Sequence, residues 1–250
     1  GGARVAKHGN RSVSSSSGSS DVLEALGVSL RLTPDQIAKC IESVGMGFMF
    51  APTHHSAMEH AIRPRKELGM RTLFNVLGPL TNPALVRRQV VGVFDSALCE
   101  PLAKVLQQLG SVHALVLHSE DGLDEISIAA PTHGFELKDN QVLPVTIQPG
   151  DYGHDFDSLD GLQVSAAAES ANLIRSALDG ATEERNQKAR AIIAINAGAG
   201  IYVSGRADSL AAGVSRASEA LSSGGAALKL TEFVSFTRAL SSDSNARPCA

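Results

Sequence analysis

Apolar positions follow a helical period over the first third of the chain and mix helical with strand-like runs after it. Ser20 and Asp21 stand just before Val22-Leu23-Glu24-Ala25-Leu26-Gly27, which supplies an N-cap, a short apolar face and a glycine stop. Thr33-Pro34-Asp35-Gln36 has the spacing of a capping box with proline at the first helical position. Ile37, Ile41 and Val44 follow at helical intervals, so a helix ending near Val44 is predicted. Residues 53–68 suggest further helix interrupted near Pro64, and Leu77 to Pro83 reads as a loop from its Gly and Pro content. Helices are therefore expected to dominate residues 21–70, preceded by Ala3-Arg4-Val5-Ala6, which reads as the end of a strand running into a polar loop.

From Gln89 the pattern changes. Val90 to Phe94 is a continuous apolar strand, Leu98, Leu102, Val105, Leu106 and Leu109 mark a helix closed by Gly110, and Ala114 to Leu117 is a second strand. Strand, helix and strand in that order imply a parallel crossover, and ligands of such sheets gather beyond the carboxyl ends of the strands. Asp121-Gly122-Leu123-Asp124-Glu125 lies just past such an end. Gly134 to Lys138 and Val142 to Ile147, separated by Asp139-Asn140, read as a hairpin. Helices around 166–179, 183–197, 206–222 and 229–240 complete an α/β pattern, with Ser241 to Ala250 expected to be a loose tail.

Composition narrows the class. The 250 residues are 43% hydrophobic and 19% charged, which excludes a disordered or collagen-like chain, and aromatics are only 4%, so the core is built from aliphatic side chains. A formal net charge of −4 removes the basic excess of a dedicated nucleic-acid binder. Cys40, Cys99 and Cys249 form no CxxC pair, which gives no support to a disulfide set or a zinc ribbon and fits a reducing cytoplasm. No apolar run approaches a membrane span and no hydrophobic leader is seen, so neither secretion nor membrane insertion is expected.

Lys7-His8-Gly9-Asn10-Arg11 sets two permanent cations, an imidazole and an amide beside a glycine that admits close backbone approach. With the serine-rich run that follows and the free N–H groups at the start of the next helix, it suits a phosphorylated ligand; the competing reading is a solvated basic turn. Asp124 and Glu125, in a loop with Glu120 and Asp121, offer hard oxygen donors suited to magnesium held jointly with substrate phosphates, although a solvated acidic turn has the same composition. His54, His55 and His60 lack a metalloprotease pattern and a third ligand, which argues against zinc. Arg63 and Arg65 flank Pro64 and could grip a carboxylate through the guanidinium fork or simply lie on the surface.

Four ordered motifs together make a specific pattern. Lys7 to Ser15, Gly18 to Gly27, Arg71 to Pro83 and Asp121 to Glu125 resemble the anthranilate phosphoribosyltransferases, and the helical end fits as well, so the resemblance spans nearly the whole chain. It implies an α/β fold of nucleoside phosphorylase and phosphoribosyltransferase type. A mixed, largely parallel sheet flanked by helices would occupy residues 1–30 and 70–250, and the remaining part of a small helical domain residues 31–69. It also implies transfer of the phosphoribosyl group of phosphoribosyl pyrophosphate (PRPP) to the amino group of anthranilate, in a cytoplasmic homodimer with no nucleic-acid or membrane partner. Carried over by position, Lys7, His8, Gly9, Asn10, Arg11, Ser12, Val13, Ser14, Ser15 and Ser19 would bind PRPP. Asn10 and Arg65 would contact anthranilate, His55, Gly78 and Pro79 would line its entry, and Asp124 and Glu125 would bind Mg2+. No residue is assigned as a general base.

The family pattern also has a Gly-Thr-Gly-Gly-Asp loop and an Asn-x-Ser-Thr segment upstream of the residue matching Lys7, and this sequence contains neither. The expectation drawn from that is an N-terminally truncated family member with slow or absent turnover. Two other readings stand beside it: a pyrimidine nucleoside phosphorylase of the same fold, and a noncatalytic relative that binds nucleic acid, which the acidic balance disfavours.

Overall fold

In the computed structural model, residues 1–10, 18–51, 78–154 and 156–245 are described. They form two compact units, one of residues 4–85, 164–175 and 225–250, the other of residues 1–3, 86–163 and 176–224.

The first unit holds β1 (Val5–Gly9), α1 (Ser19–Leu26), α2 (Pro34–Val44), β2 (Met46–Phe50), a short 3-10 turn at Gly78–Thr81 and, near the end of the chain, α7 (Gly225–Asn245). The capping box of α2 is formed as its spacing predicts: Thr33 Oγ1 accepts from Gln36 N at 3.3 Å and Gln36 Oε1 accepts from Thr33 N at 2.9 Å. β1 and β2 pair in parallel, Val5 opposite Met46 through Gly9 opposite Phe50.

Three expectations are corrected here. β1 runs on through Lys7-His8-Gly9, which the charge pattern assigned to a loop; a strand with exposed alternate positions tolerates charge. β2 interrupts a stretch expected to be helical, because Gly45 takes a left-handed conformation (φ 87°) that ends α2 and leaves a five-residue apolar run to pair with β1. At its other end the chain stays helical to Asn245 rather than loosening at Ser241. The core of this unit gathers Val28, Leu30, Cys40, Val44 and Phe48 around Phe233, a residue of α7 that is 1% exposed.

The second unit is built on a four-stranded sheet of order β3-β4-β5-β6, from β3 (Arg88–Gly92), β4 (His113–Ser119), β5 (Thr132–Lys138) and β6 (Gln141–Ile147), with α3 (Cys99–Gln108) between the first two strands. β3 and β4 are parallel, as the crossover predicts, and the other pairs are antiparallel. The hairpin turn is Asp139-Asn140, both left-handed (φ 51° and 59°), the geometry a two-residue turn between twisted strands requires. Following α4 (Ala167–Leu178), most of which belongs to the first unit, α5 (Glu184–Val203) and α6 (Leu210–Ser222) pack together at very short range. A Cβ at Gly213 would sit 2.3 Å from the carbonyl oxygen of Gly198, and one at Gly198 would sit 2.6 Å from Val214 Cα. Leu115, Leu117, Ile126, Ile128, Ile195 and Val203 form the centre of the core.

One polar cluster is set into this unit. Buried His113 donates from Nε2 to Glu136 Oε1 at 2.7 Å, the Tyr202 ring meets the imidazole edge-on at 4.7 Å between centroids, and Lys138 Nζ donates to Tyr202 Oη at 3.1 Å. The hydrogen bond from His113 holds the Glu136 carboxyl below its ordinary value, and burial pushes the Tyr202 phenol up. Among the described residues no helix is long and apolar enough to cross a membrane.

Candidate active site

Lys7, His8 and Gly9 close the carboxyl end of β1 and Asn10 follows them directly. A Cβ at Gly9 would lie 2.8 Å from Ser19 Oγ, so the missing side chain lets the first hydroxyl of α1 reach the end of the strand. α1 starts from Gly18, not from Ser20 as expected: Asp21 reaches back, its Oδ2 accepting from Gly18 N at 2.9 Å. Ser20 is then carried into the interior, fully buried, with no hydrogen-bond partner for its hydroxyl among the described residues. Strand end, glycine and helix amino terminus converge, and the N–H groups and helix dipole there favour an anion.

The Gly78–Thr81 turn belongs to the same unit. Asn82 Nδ2 donates to the carbonyl of Ala6 in β1 at 3.0 Å, which ties the segment carrying Gly78 and Pro79 to the strand carrying Lys7. Arg11, Ser12, Val13, Ser14, Ser15, His55 and Arg65 lie outside the described residues.

In the other unit the four acidic residues after β4 divide by role. Glu120 Oε1 accepts from His133 Nε2 at 2.7 Å. Asp121 accepts from Ser127 Oγ through Oδ2 and from Leu123 N through Oδ1 at 3.3 Å. The loop backbone is tied as well, Ser119 N donating to Leu123 O at 3.0 Å and Gly122 N to Ser119 O at 2.9 Å. Asp124 and Glu125 are exposed, as Glu120 and Asp121 are, and a Cβ at Gly92 would sit 1.5 Å from the carbonyl oxygen of Asp124. Immediately after them Ile126 is fully buried, and Asn196 of α5 bonds both its N–H and its C=O.

Two adjacent carboxylates on a tied backbone are the hard-oxygen donors magnesium takes. Among the described residues no three His, Cys, Asp or Glu side chains converge on a metal-sized site. Sequence reasoning missed Asn82 and Asn196, whose partners lie 76 and 70 residues away. One signal was there to be read: Asn196 is the single polar residue between Arg190 and Tyr202.

Residues 1–227 match the profile of the glycosyl transferase family, a/b domain, and the chain is a glycosyltransferase of that class. The anthranilate phosphoribosyltransferase of Teredinibacter turnerae is 62% identical over 236 residues, which are 94% of this chain and 69% of that protein. The crystal structure of the enzyme of that name from Thermus thermophilus superposes with a TM-score of 0.87 at 41% identity, covering 95% of this chain and 69% of that one. A third, from Saccharomyces cerevisiae and in complex with PRPP and Mg, gives a TM-score of 0.81 at 26% identity over 93% of this chain and 64% of its own. The chain belongs to the anthranilate phosphoribosyltransferases, glycosyltransferases of tryptophan biosynthesis.

Proposed function

We propose that Lys7 through Ser15 and Ser19 hold PRPP, that Asn10 and Arg65 bind anthranilate, that His55, Gly78 and Pro79 line its entry, and that Asp124 and Glu125 hold Mg2+, for transfer of the phosphoribosyl group to the anthranilate amine. The observation that carries the reading is the meeting of Lys7-His8-Gly9 with the amino terminus of α1 through Ser19 Oγ, a cradle with a cation, a glycine and donors at one strand end.

In that reading the bond from the anomeric carbon to the pyrophosphate oxygen lengthens and the ribose takes up positive charge. Lys7, at a fixed strand end, neutralises charge growing on the leaving group. When bound, magnesium supplies Lewis-acid neutralisation of the pyrophosphate oxygens. The guanidinium of Arg65 fits the anthranilate carboxylate as a planar fork and aligns the amine with the anomeric carbon, and Asn10 adds a side-chain amide. The aryl amine, already neutral near pH 7, forms the bond to the anomeric carbon as the bond to pyrophosphate breaks, and the proton it sheds passes to water or the departing pyrophosphate, so alignment supplies the rate and no protein residue is assigned as general base. A homodimer and a cytoplasmic location complete the proposal, the first open to sedimentation analysis.

Calorimetric titration of PRPP into the chain with magnesium tests the cradle, and loss of anthranilate fluorescence reports the transfer itself. Lys7→Ala is expected to weaken PRPP binding about tenfold or more, the loss of a charge-assisted hydrogen bond; unchanged binding would overturn its role. Arg65→Ala is expected to raise KM for anthranilate with much less effect on that for PRPP, and equal effects would count against the carboxylate contact. Phosphorolysis of uridine or thymidine in place of these signals would assign the chain to the phosphorylases instead.

A further inference from the structure

We infer that Asn196 is a positioning residue for the Asp124–Glu125 carboxylate pair, acting through the backbone of Ile126; the inference rests on the reading that this pair holds magnesium. Asn196 lies in an otherwise apolar run of α5, where an amide adds nothing to a core. Three of its four hydrogen-bonding positions are nonetheless used. Oδ1 accepts from Ile126 N at 2.9 Å, and Nδ2 donates to Ile126 O at 2.8 Å and to Ile192 O at 3.0 Å. Exchanging the amide oxygen and nitrogen would set donor against donor and acceptor against acceptor, so the orientation is fixed by its partners.

The N–H that Asn196 receives belongs to the peptide joining Glu125 to Ile126. Fixing that peptide plane fixes the direction in which the chain leaves Glu125. Within the pair, the carbonyl of Asp124 rests on Gly92, and the turn before it is held by Asp121 and Ser127. Asp124 and Glu125 are exposed, and the backbone sets where their side chains leave the loop. Without the amide, the N–H and C=O of a fully buried residue would lose their partners and the segment would shift to find others.

The test is Mn2+ binding in the presence of PRPP, followed by electron paramagnetic resonance of the free ion, with far-ultraviolet circular dichroism and thermal melting as controls for folding. Asn196→Ala is expected to weaken Mn2+ binding about tenfold, the scale on which groups that orient metal ligands act, while PRPP binding without metal is unchanged. Asn196→Asp keeps the acceptor for Ile126 N, loses both donated bonds and is nearly isosteric, so it serves if the alanine variant does not fold; it is expected to bind Mn2+ more weakly as well. A folded variant with wild-type Mn2+ affinity overturns the inference. The doubly substituted Asp124→Asn, Glu125→Gln chain separates the two levels of failure. If it loses Mn2+ while the Asn196 variants keep it, only the positioning role falls; if it too keeps Mn2+, the reading of the pair as the metal site falls with it.

Discussion

The backbone at Gly92, the last residue of β3, lies directly beneath the carbonyl oxygen of Asp124, closer than any side chain would allow. This is where the sheet supports the acidic loop. Gly92→Ala forces strand and loop apart, and overpacking of this kind costs about 1–3 kcal/mol. Urea denaturation is expected to show that loss, and Mn2+ binding in the presence of PRPP should weaken in the same variant.

The His113–Glu136 pair predicts a pH dependence. Glu136 is held below its ordinary value of 4.5, so its contribution is fully present above that value and is lost as pH falls through the lower folded one. Glu136→Gln is expected to lower stability near neutral pH by about 1.5 kcal/mol, the worth of a hydrogen bond to a charged group. The gap to wild type should narrow in acid, once the wild-type carboxyl is protonated. Denaturant midpoints at neutral pH and in acid check it; a gap independent of pH would contradict the assignment.

Much of this architecture is written locally in the chain. Thr33 to Gln36 announces α2 because both halves of the capping box lie within four residues, and Asp139-Asn140 announces the hairpin because a two-residue turn needs residues that tolerate positive φ. The motif at Lys7 was not legible as a strand, since its charges mask the alternation and its partner β2 lies beyond two helices. The acidic loop was legible as four carboxylates, yet not what holds them: His133 takes Glu120 and Ser127 takes Asp121, contacts of 13 and 6 residues in separation.

Burial gives a prediction about the thiols. Desolvation pushes Cys40 and Cys99 up to about 11, with the charge of Asp95 adding to the effect at Cys99, so neither carries appreciable thiolate near neutral pH. Peptide mapping after brief iodoacetamide treatment is expected to find both unmodified in the native protein and both modified after unfolding.

The carboxyl end of α1 is held by two arginines. Arg238 Nε donates to Gly27 O at 2.7 Å, and Arg175 Nη2 donates to Leu26 O at 3.1 Å and Ala25 O at 3.3 Å. Cations there satisfy carbonyls with no partner inside the helix and complement its dipole. Arg238→Ala is expected to cost about 1 kcal/mol in thermal or urea unfolding, and Arg238→Lys to recover only part of it, because an ammonium has no Nε to offer.

Gly198 and Gly213 bring α5 and α6 together main chain to main chain, with Gly198 two residues beyond Asn196. Side-chain interfaces between helices have give, since rotamers change and one helix can roll on the other. A contact between two backbones has no such play, and it works as a mechanical stop against rotation of α5 about its axis. The aim of the Asn196 amide is thereby referred to a backbone contact, as a gunsight is mounted on the barrel and not on the stock.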